Sequence, residues 1–329
     1  MSAKSRLLTG AGFAFLAPVI WGGMFPIAND LMPTVDVFHM TLIRYVSASV
    51  ILLLLLLAIE GRPAFRLEGK GTRAFCLGAS GFAGFGLLAF TAMDFTTPTN
   101  VSLIMAMMPS ISIIIGALQT RKAPPFYTTI TVLTALVGVS LVITKGDYSE
   151  LLSGGQALGE LIALAGATCW IVYTRGAATF AGWSPLRYTA LTTTLGCLSI
   201  TAATVVAVLT GYVETPAAGA VADGWPHLLY LIVPAGVIAV FSWNKGIGLL
   251  GPLNGALFMN LVPITTFTIA ITGGYAPRPV EIVGALIVVA SLVTNNVLAR
   301  KATARAEQQA GVAQAPAETR AAELAGARG

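Results

Sequence analysis

The chain has 329 residues, 56 % hydrophobic and 10 % charged, with 19 Lys and Arg against 14 Asp and Glu. A water-soluble domain carries about 25 % charged residues, so this composition excludes an ordinary soluble protein and points to lipid as the main solvent. The net charge of +5 does not indicate nucleic acid, because the basic residues are spread over short loops rather than along one amphipathic face.

A span needs roughly 20 apolar residues to cross a core about 30 Å thick. Ten stretches qualify: 8–28, 37–59, 74–93, 98–118, 126–144, 157–178, 186–210, 226–244, 250–272 and 280–299. The first follows Lys4 and Arg6 as a signal peptide would, but its Trp21 has a counterpart in Trp170 of the sixth, so it reads as a retained helix. The second holds "ILLLLLLAIE" and, seven residues from its start, Arg44. The fourth opens on "PTNVSLIMAMMP" (98–109) and the ninth on "PLNGALFMNLVP" (252–263). The eighth ends at Trp243, Asn244 and Lys245. The tail, 301–329, is rich in Ala, Gln, Glu and Arg, and is expected to be a disordered cytoplasmic segment. Cys76, Cys169 and Cys197 match no disulfide or metal spacing and read as buried fillers.

With the N-terminus inside, sixteen Lys and Arg fall in inner segments, two (Lys145 and Arg278) in outer ones, and Arg44 within a span. That bias places both termini in the cytoplasm.

The fourth and ninth stretches share Pro98/Pro252, Asn100/Asn254, Leu103/Leu257, Met105/Met259 and Pro109/Pro263, each pair 154 residues apart. Trp21 matches Trp170, each about 13 residues into its span, and Pro33 matches Pro185. Spans one to five thus correspond to spans six to ten. Five is odd, so the second copy enters from the opposite side. The expected fold is all-α integral membrane, ten transmembrane helices as a five-plus-five inverted repeat, with halves 1–145 and 146–300. In such folds the substrate site lies near the midplane between the halves.

Ten spans so arranged, "GELIALAGATCWIVYTRG" opening the second half and "LFMNLVPITTFTIA" in the ninth span resemble the drug/metabolite transporter superfamily, EamA-like branch, over residues 8–299. The family often places a Gly-Glu pair after the fourth and ninth spans; here "LQTRKAP" and "TGGYAPRP" stand there without a carboxylate. The resemblance implies a secondary transporter of the cytoplasmic membrane, moving amino-acid-like solutes and their analogues outward.

Pro109 and Pro263 lie 11 residues past the start of each repeated helix, about 16 Å along it and close to the midplane. Each removes the hydrogen bond to the residue four back, freeing the carbonyls of Met105 and Met259. Two kinked helices bending round one cavity, lined by the prolines and those methionines, would use them. The alternative for Met105 and Met259 is ordinary gap-filling. Thr97-Pro98 and Gly251-Pro252 read as N-cap and first-turn pairs, with Asn100 and Asn254 reaching back to the cap. Asn260 reads either as a substrate contact or as an interhelical hydrogen bond. Trp21, Trp170 and Tyr173 could hold the apolar part of a substrate, or simply pack. Trp243, Asn244 and Lys245 read as an interfacial belt at the cytoplasmic surface or an inner gate. Arg44 either snorkels outward to headgroups or binds a substrate carboxylate, and its repeat counterpart, Gly196, shows that the fold does not demand arginine there.

Glu160 reads as a first-turn residue suited to its helix dipole, and no Asp or Glu lies clearly mid-span, so proton coupling has little support. No Walker loop, HExxH or aspartate-rich pair is present, which leaves no catalytic residue, cofactor or metal site to name. The expected partners are a small-molecule substrate and the lipid bilayer, with monomer or homodimer undecided. The alternatives are an importer of sugar-like or nucleotide-linked solutes and, from another class, a membrane-embedded lipid-acting enzyme.

Overall fold

The computed structural model describes residues 3–121, 123, 125–147, 155–251, 257–291, 293–295, 297–298, 301–302 and 305. Among them there is no strand. In chain order the helices are α1 (Ala3–Leu31), α2 (Val37–Glu60), α3 (Gly71–Asp94), α4 in two arms (Pro98–Ala106 and Met108–Thr120), α5 (Phe126–Thr144), α6 (Gly155–Gly176), α7 (Pro185–Leu209), α8 (Trp225–Leu250), α9 (Leu261–Thr272) and α10 (Pro279–Asn295). Six of them, α1–α3 and α6–α8, are each long and apolar enough to cross a membrane. The arms of α4, bent by 42°, make a seventh such span if taken together; α5, α9 and α10 are shorter apolar helices. The proposed tail beyond residue 305 lies outside the described residues.

Local chemistry sets the helix ends. Asp36 caps α2 by accepting from the Phe38 and His39 amides, and Gly61, at φ 74°, ends it. Thr97 caps α4 by accepting from the Asn100 amide at 3.2 Å, with Pro98 in the first turn, as the sequence predicts. Ser184 caps α7 in the same way, followed by Pro185. The eighth helix departs from expectation. "GIGLL" carries α8 to Leu250, where Gly251 at φ 80° stops it, so Trp243 is not at the membrane surface.

The two repeated prolines act differently from the mid-helix kinks that the sequence suggests. The break in α4 falls at Met107, which leaves Pro109 as the second residue of the new arm. A 3₁₀ turn over Leu257–Asn260 precedes α9, which puts Pro263 third in that helix. Both therefore sit in a first turn, where a missing N–H costs nothing. A proline that does free a carbonyl is Pro26, inside α1: the Gly22 carbonyl four residues back accepts from Thr266 Oγ1 at 2.8 Å. Gly22 is needed there, since a Cβ would come within 2.4 Å of the Thr265 Cβ on α9.

Two further irregularities lie in α3 and α8. Ala79–Gly84 and Val233–Ile238 are each one π-helical segment, and position 79 precedes 233, as 84 precedes 238, by the 154 residues that separate the repeated prolines. A π turn inserts one residue and disturbs the ladder of backbone hydrogen bonds, and such turns recur at functional sites.

The cysteines are only partly as expected: Cys197 is buried, Cys169 half-buried and Cys76 exposed on α3. In the loop before α3, Glu68 accepts from Trp183 Nε1 at 2.9 Å and Arg187 Nη2 at 2.7 Å. Those bonds, with the Trp183 contact first, hold its carboxyl below the usual carboxylate range. A depressed pKa contributes stability above the ordinary carboxylate range, which is lost as pH falls through the folded value. Glu68→Gln is therefore expected to lower the Tm in detergent slightly at pH 7. The gap to wild type should close as the medium is acidified through the carboxylate range, as a thermal-shift series would record.

Candidate functional site

Five residues that the sequence marks out converge on one central cavity. Trp21 (α1), Arg44 (α2), Met105 (α4), Trp170 (α6) and Met259 (before α9) all line it, with Phe85, Met108 and Tyr45 among the others. Its free volume is about 10 Å³, at the lower limit for holding one water. The site is closed.

Arg44 is 1 % exposed, so the outward snorkelling reading is overturned. Its chain instead points into the bundle. Nη2 donates to the Ala235 carbonyl at 3.4 Å, and the guanidinium lies over the rings of Tyr45 (4.6 Å) and Phe90 (5.6 Å). Nε and Nη1 have no hydrogen-bond partner among the described residues. Ala235 lies inside the π segment of α8, and its carbonyl also takes Trp21 Nε1 at 3.2 Å. A desolvated cation–π contact contributes about 2 kcal/mol or more, against several kcal/mol for burying the charge, and two of the guanidinium's three nitrogens still lack a hydrogen-bond partner among the described residues. The guanidinium is under-compensated.

Trp21 and Trp170, counterparts in the two halves, meet edge to face at 5.3 Å, and Phe85 lies 5.3 Å from Trp170. Trp170 Nε1 has no partner among the described residues. Tyr173 packs on Trp170 at 5.1 Å but its hydroxyl turns elsewhere: it accepts from Asn244 Nδ2 at 2.9 Å, and the same amide donates to Thr189 Oγ1 at 2.7 Å. This latch joins α6, α7 and α8. Trp243, expected at the surface, is 2 % exposed and lies 5.7 Å from Trp21. It sits too deep for a belt because α8 continues past it. Lys245 lies over the Phe13 ring at 4.8 Å.

Pro109 and Pro263 do not line the cavity; their neighbours Met105, Met108, Met259 and Val262 do. Pro263 lines a separate apolar groove between α9 and α10. The Asn260 side chain and Asn254 lie outside the described residues. Asn100 does not simply reach back to its cap: Nδ2 donates to Thr96 Oγ1 at 2.9 Å and to Glu160 Oε1 at 3.5 Å, and Thr96 also donates to Glu160. Glu160 thus stands past the first turn of α6 and ties it to α4. The loop read as lacking a carboxylate acquires one from further along. Glu281 is buried in the first turn of α10, accepting from the Arg278 amide at 2.7 Å and from Tyr275.

Two larger cavities flank the closed one. One, of about 250 Å³, is lined by Thr174, Arg175, Trp183, Tyr188 and Asn244 at the end bearing most of the basic loops. The other, of about 260 Å³, lies at the opposite end among Asn29, Asp30, Asn100, Lys145, Tyr275 and Glu281. Of the residues missed by sequence reasoning, Tyr45 adjoins Arg44 and was within reach. Phe85 and the Ala235 carbonyl carry no signal in composition or spacing.

A multi-pass helical bundle with a closed cavity around Arg44 between two larger ones is an architecture that fits an integral membrane transporter. The chain belongs to the EamA-like transporter family. That family's model matches residues 8–144. The chain is 37 % identical over 302 residues to the uncharacterized transporter YrdR of Bacillus subtilis, covering 91 % of this chain and 94 % of that protein. It is 27 % identical to a second uncharacterized transporter of that organism, YyaM, over 76 % of this chain and 81 % of that one. A crystal structure 20 % identical in sequence shares the fold, with a TM-score of 0.63 over 91 % of this chain and 98 % of its own.

The latch generates a prediction. Asn244→Ala leaves a buried hydroxyl on Tyr173 and another on Thr189 short of a donor, which costs about 1–3 kcal/mol. In a double-mutant cycle with Tyr173→Phe, the thermal stabilities should show a coupling above about 0.5 kcal/mol. Simple additivity would mean that the hydrogen bond contributes nothing.

Proposed function

We propose that this chain is a ten-helix secondary transporter made of two five-helix halves of inverted topology, 1–145 and 146–300. It carries small polar or amphipathic metabolites, amino acids and related compounds among them, outward across the cytoplasmic membrane. The observation that carries the reading is the meeting of counterpart residues round one buried cation. Trp21 touches Trp170, and Met105 and Met259 line the same cavity as Arg44. The 154-residue offset shared by the two π segments and the two prolines supports the repeat independently.

On this reading the closed state is occluded. Opening toward the basic end requires the Asn244–Tyr173–Thr189 latch to part, which makes Asn244 and Trp243 the inner gate. At the other end the Glu160–Thr96–Asn100 link is the corresponding barrier. Both termini face the cytoplasm, in accord with the sixteen-to-two distribution of basic residues. Glycine in the π segment of α3 lets it pack closely on α6: a Cβ at Gly81 would stand 2.4 Å from the Tyr173 Cγ.

Purified protein in liposomes, offered a panel of labelled metabolites, is expected to move a subset of amphipathic ones. Reporter fusions at Asn29 and Lys145 should report outside, and fusions at Arg66 and Arg300 inside. A cytoplasmic signal at Lys145 would overturn the inverted repeat, and an inert protein across the panel would overturn the transport reading.

A further inference from the structure

Among the described residues the central cavity holds more hydrogen-bond donors than acceptors. Arg44 Nε and Nη1 and Trp170 Nε1 are buried without hydrogen-bond partners among the described residues. The Ala235 carbonyl is already shared by Trp21 Nε1 and Arg44 Nη2. No Asp or Glu is among the described residues lining the cavity, and none occurs in the sequence 252–256, which reads Pro, Leu, Asn, Gly and Ala. The remaining wall is aromatic, thioether or aliphatic, including Phe85, Met105, Met259 and Val262. Net charge in the site is therefore one positive, held at the end of a planar fork of donors.

We propose that this site takes an organic monocarboxylate with an apolar or aromatic body, and ranks it above the amino acid of the same body. The inference rests on the reading of this cavity as the transport site. A carboxylate neutralises Arg44 and accepts from its unspent N–H groups, and once the closed site opens the ligand's body packs against the Trp21–Trp170 pair. A free ammonium gains no anionic partner, gives up its hydration and is repelled by the guanidinium. The cation–π attraction of the rings offsets only part of that loss. Recognition by charge balance therefore favours net charge −1, tolerates a zwitterion and rejects a cation.

Three probes share one body and differ in charge: 3-phenylpropanoate, phenylalanine and phenylalaninamide. Binding to the full chain in liposomes can be read from quenching of tryptophan emission, since Trp21 and Trp170 line the site, and checked by competition in uptake. The expected order has 3-phenylpropanoate binding about tenfold or more tighter than phenylalanine, with phenylalaninamide weakest. Arg44→Gln should cost the anion about tenfold or more and level the series, without weakening phenylalaninamide. Arg44→Lys should keep the order while weakening the anion. The wild-type ranking decides the matter even where Arg44→Gln does not fold. Phenylalanine binding as tightly as 3-phenylpropanoate, binding of none of the three, or an order unchanged in Arg44→Gln would overturn the proposal. Transport of some other solute alongside any of those results would leave the transport reading standing, whereas failure to move any solute would fall on that reading instead.

Discussion

One under-compensated guanidinium organises the interior. A cation held away from water and lipid headgroups must find substitutes for both, and Arg44 has a single long hydrogen bond and two ring faces. That bond goes to the Ala235 carbonyl, which lies in the π-helical segment Val233–Ile238 of α8. In hydrocarbon a backbone carbonyl displaced from its ladder must be paired by something else, and here Arg44 and Trp21 both do it. Cation, carbonyl and indole thus form one unit, and the aromatic wall is assembled around it: Tyr45 packs on Phe82 at 5.1 Å, and Phe82 on Tyr173 at 5.0 Å.

The same arrangement explains why the two halves differ where they correspond. The counterpart of Arg44 is Gly196, which lies where α7 crosses α3; a Cβ there would come within 2.6 Å of the Gly78 carbonyl. A side chain of any size is excluded on that side by backbone contact. One half supplies the charge, and the other supplies close packing. Both retain the π segment and the proline-led helix start.

The polar contacts at either end are of another kind. The Asn244–Tyr173–Thr189 set and the Glu160–Thr96–Asn100 set contain no cation, so each is held by neutral donors or by hydrogen bonds to a carboxylate. Net contributions are about 1 kcal/mol for a neutral bond and about 1.5–3 kcal/mol for one to a carboxylate, small enough to be broken and remade by a ligand's binding energy. The central cation orients the groups around it, and the end contacts are weak enough to alternate.

Much of this was legible from the chain alone. Charge content and apolar runs determine that the protein lives in lipid, and where its helices lie, because hydrocarbon tolerates only segments that satisfy their own backbone. Capping chemistry placed Thr97 and Pro98, and the repeated spacing singled out Trp21, Trp170, Met105 and Met259, which do converge. The depth of Trp243 and the facing of Arg44 were not legible. A span that is apolar all round has no amphipathic contrast to say which side turns inward, so the sequence left Arg44 free to snorkel. Glu281's return to its loop, the π turns and the break at Met107 likewise depend on what packs beside them. Those features were decided by tertiary structure, because a buried polar group takes its direction from the partners available within about 3 Å, and those partners come from helices distant in sequence.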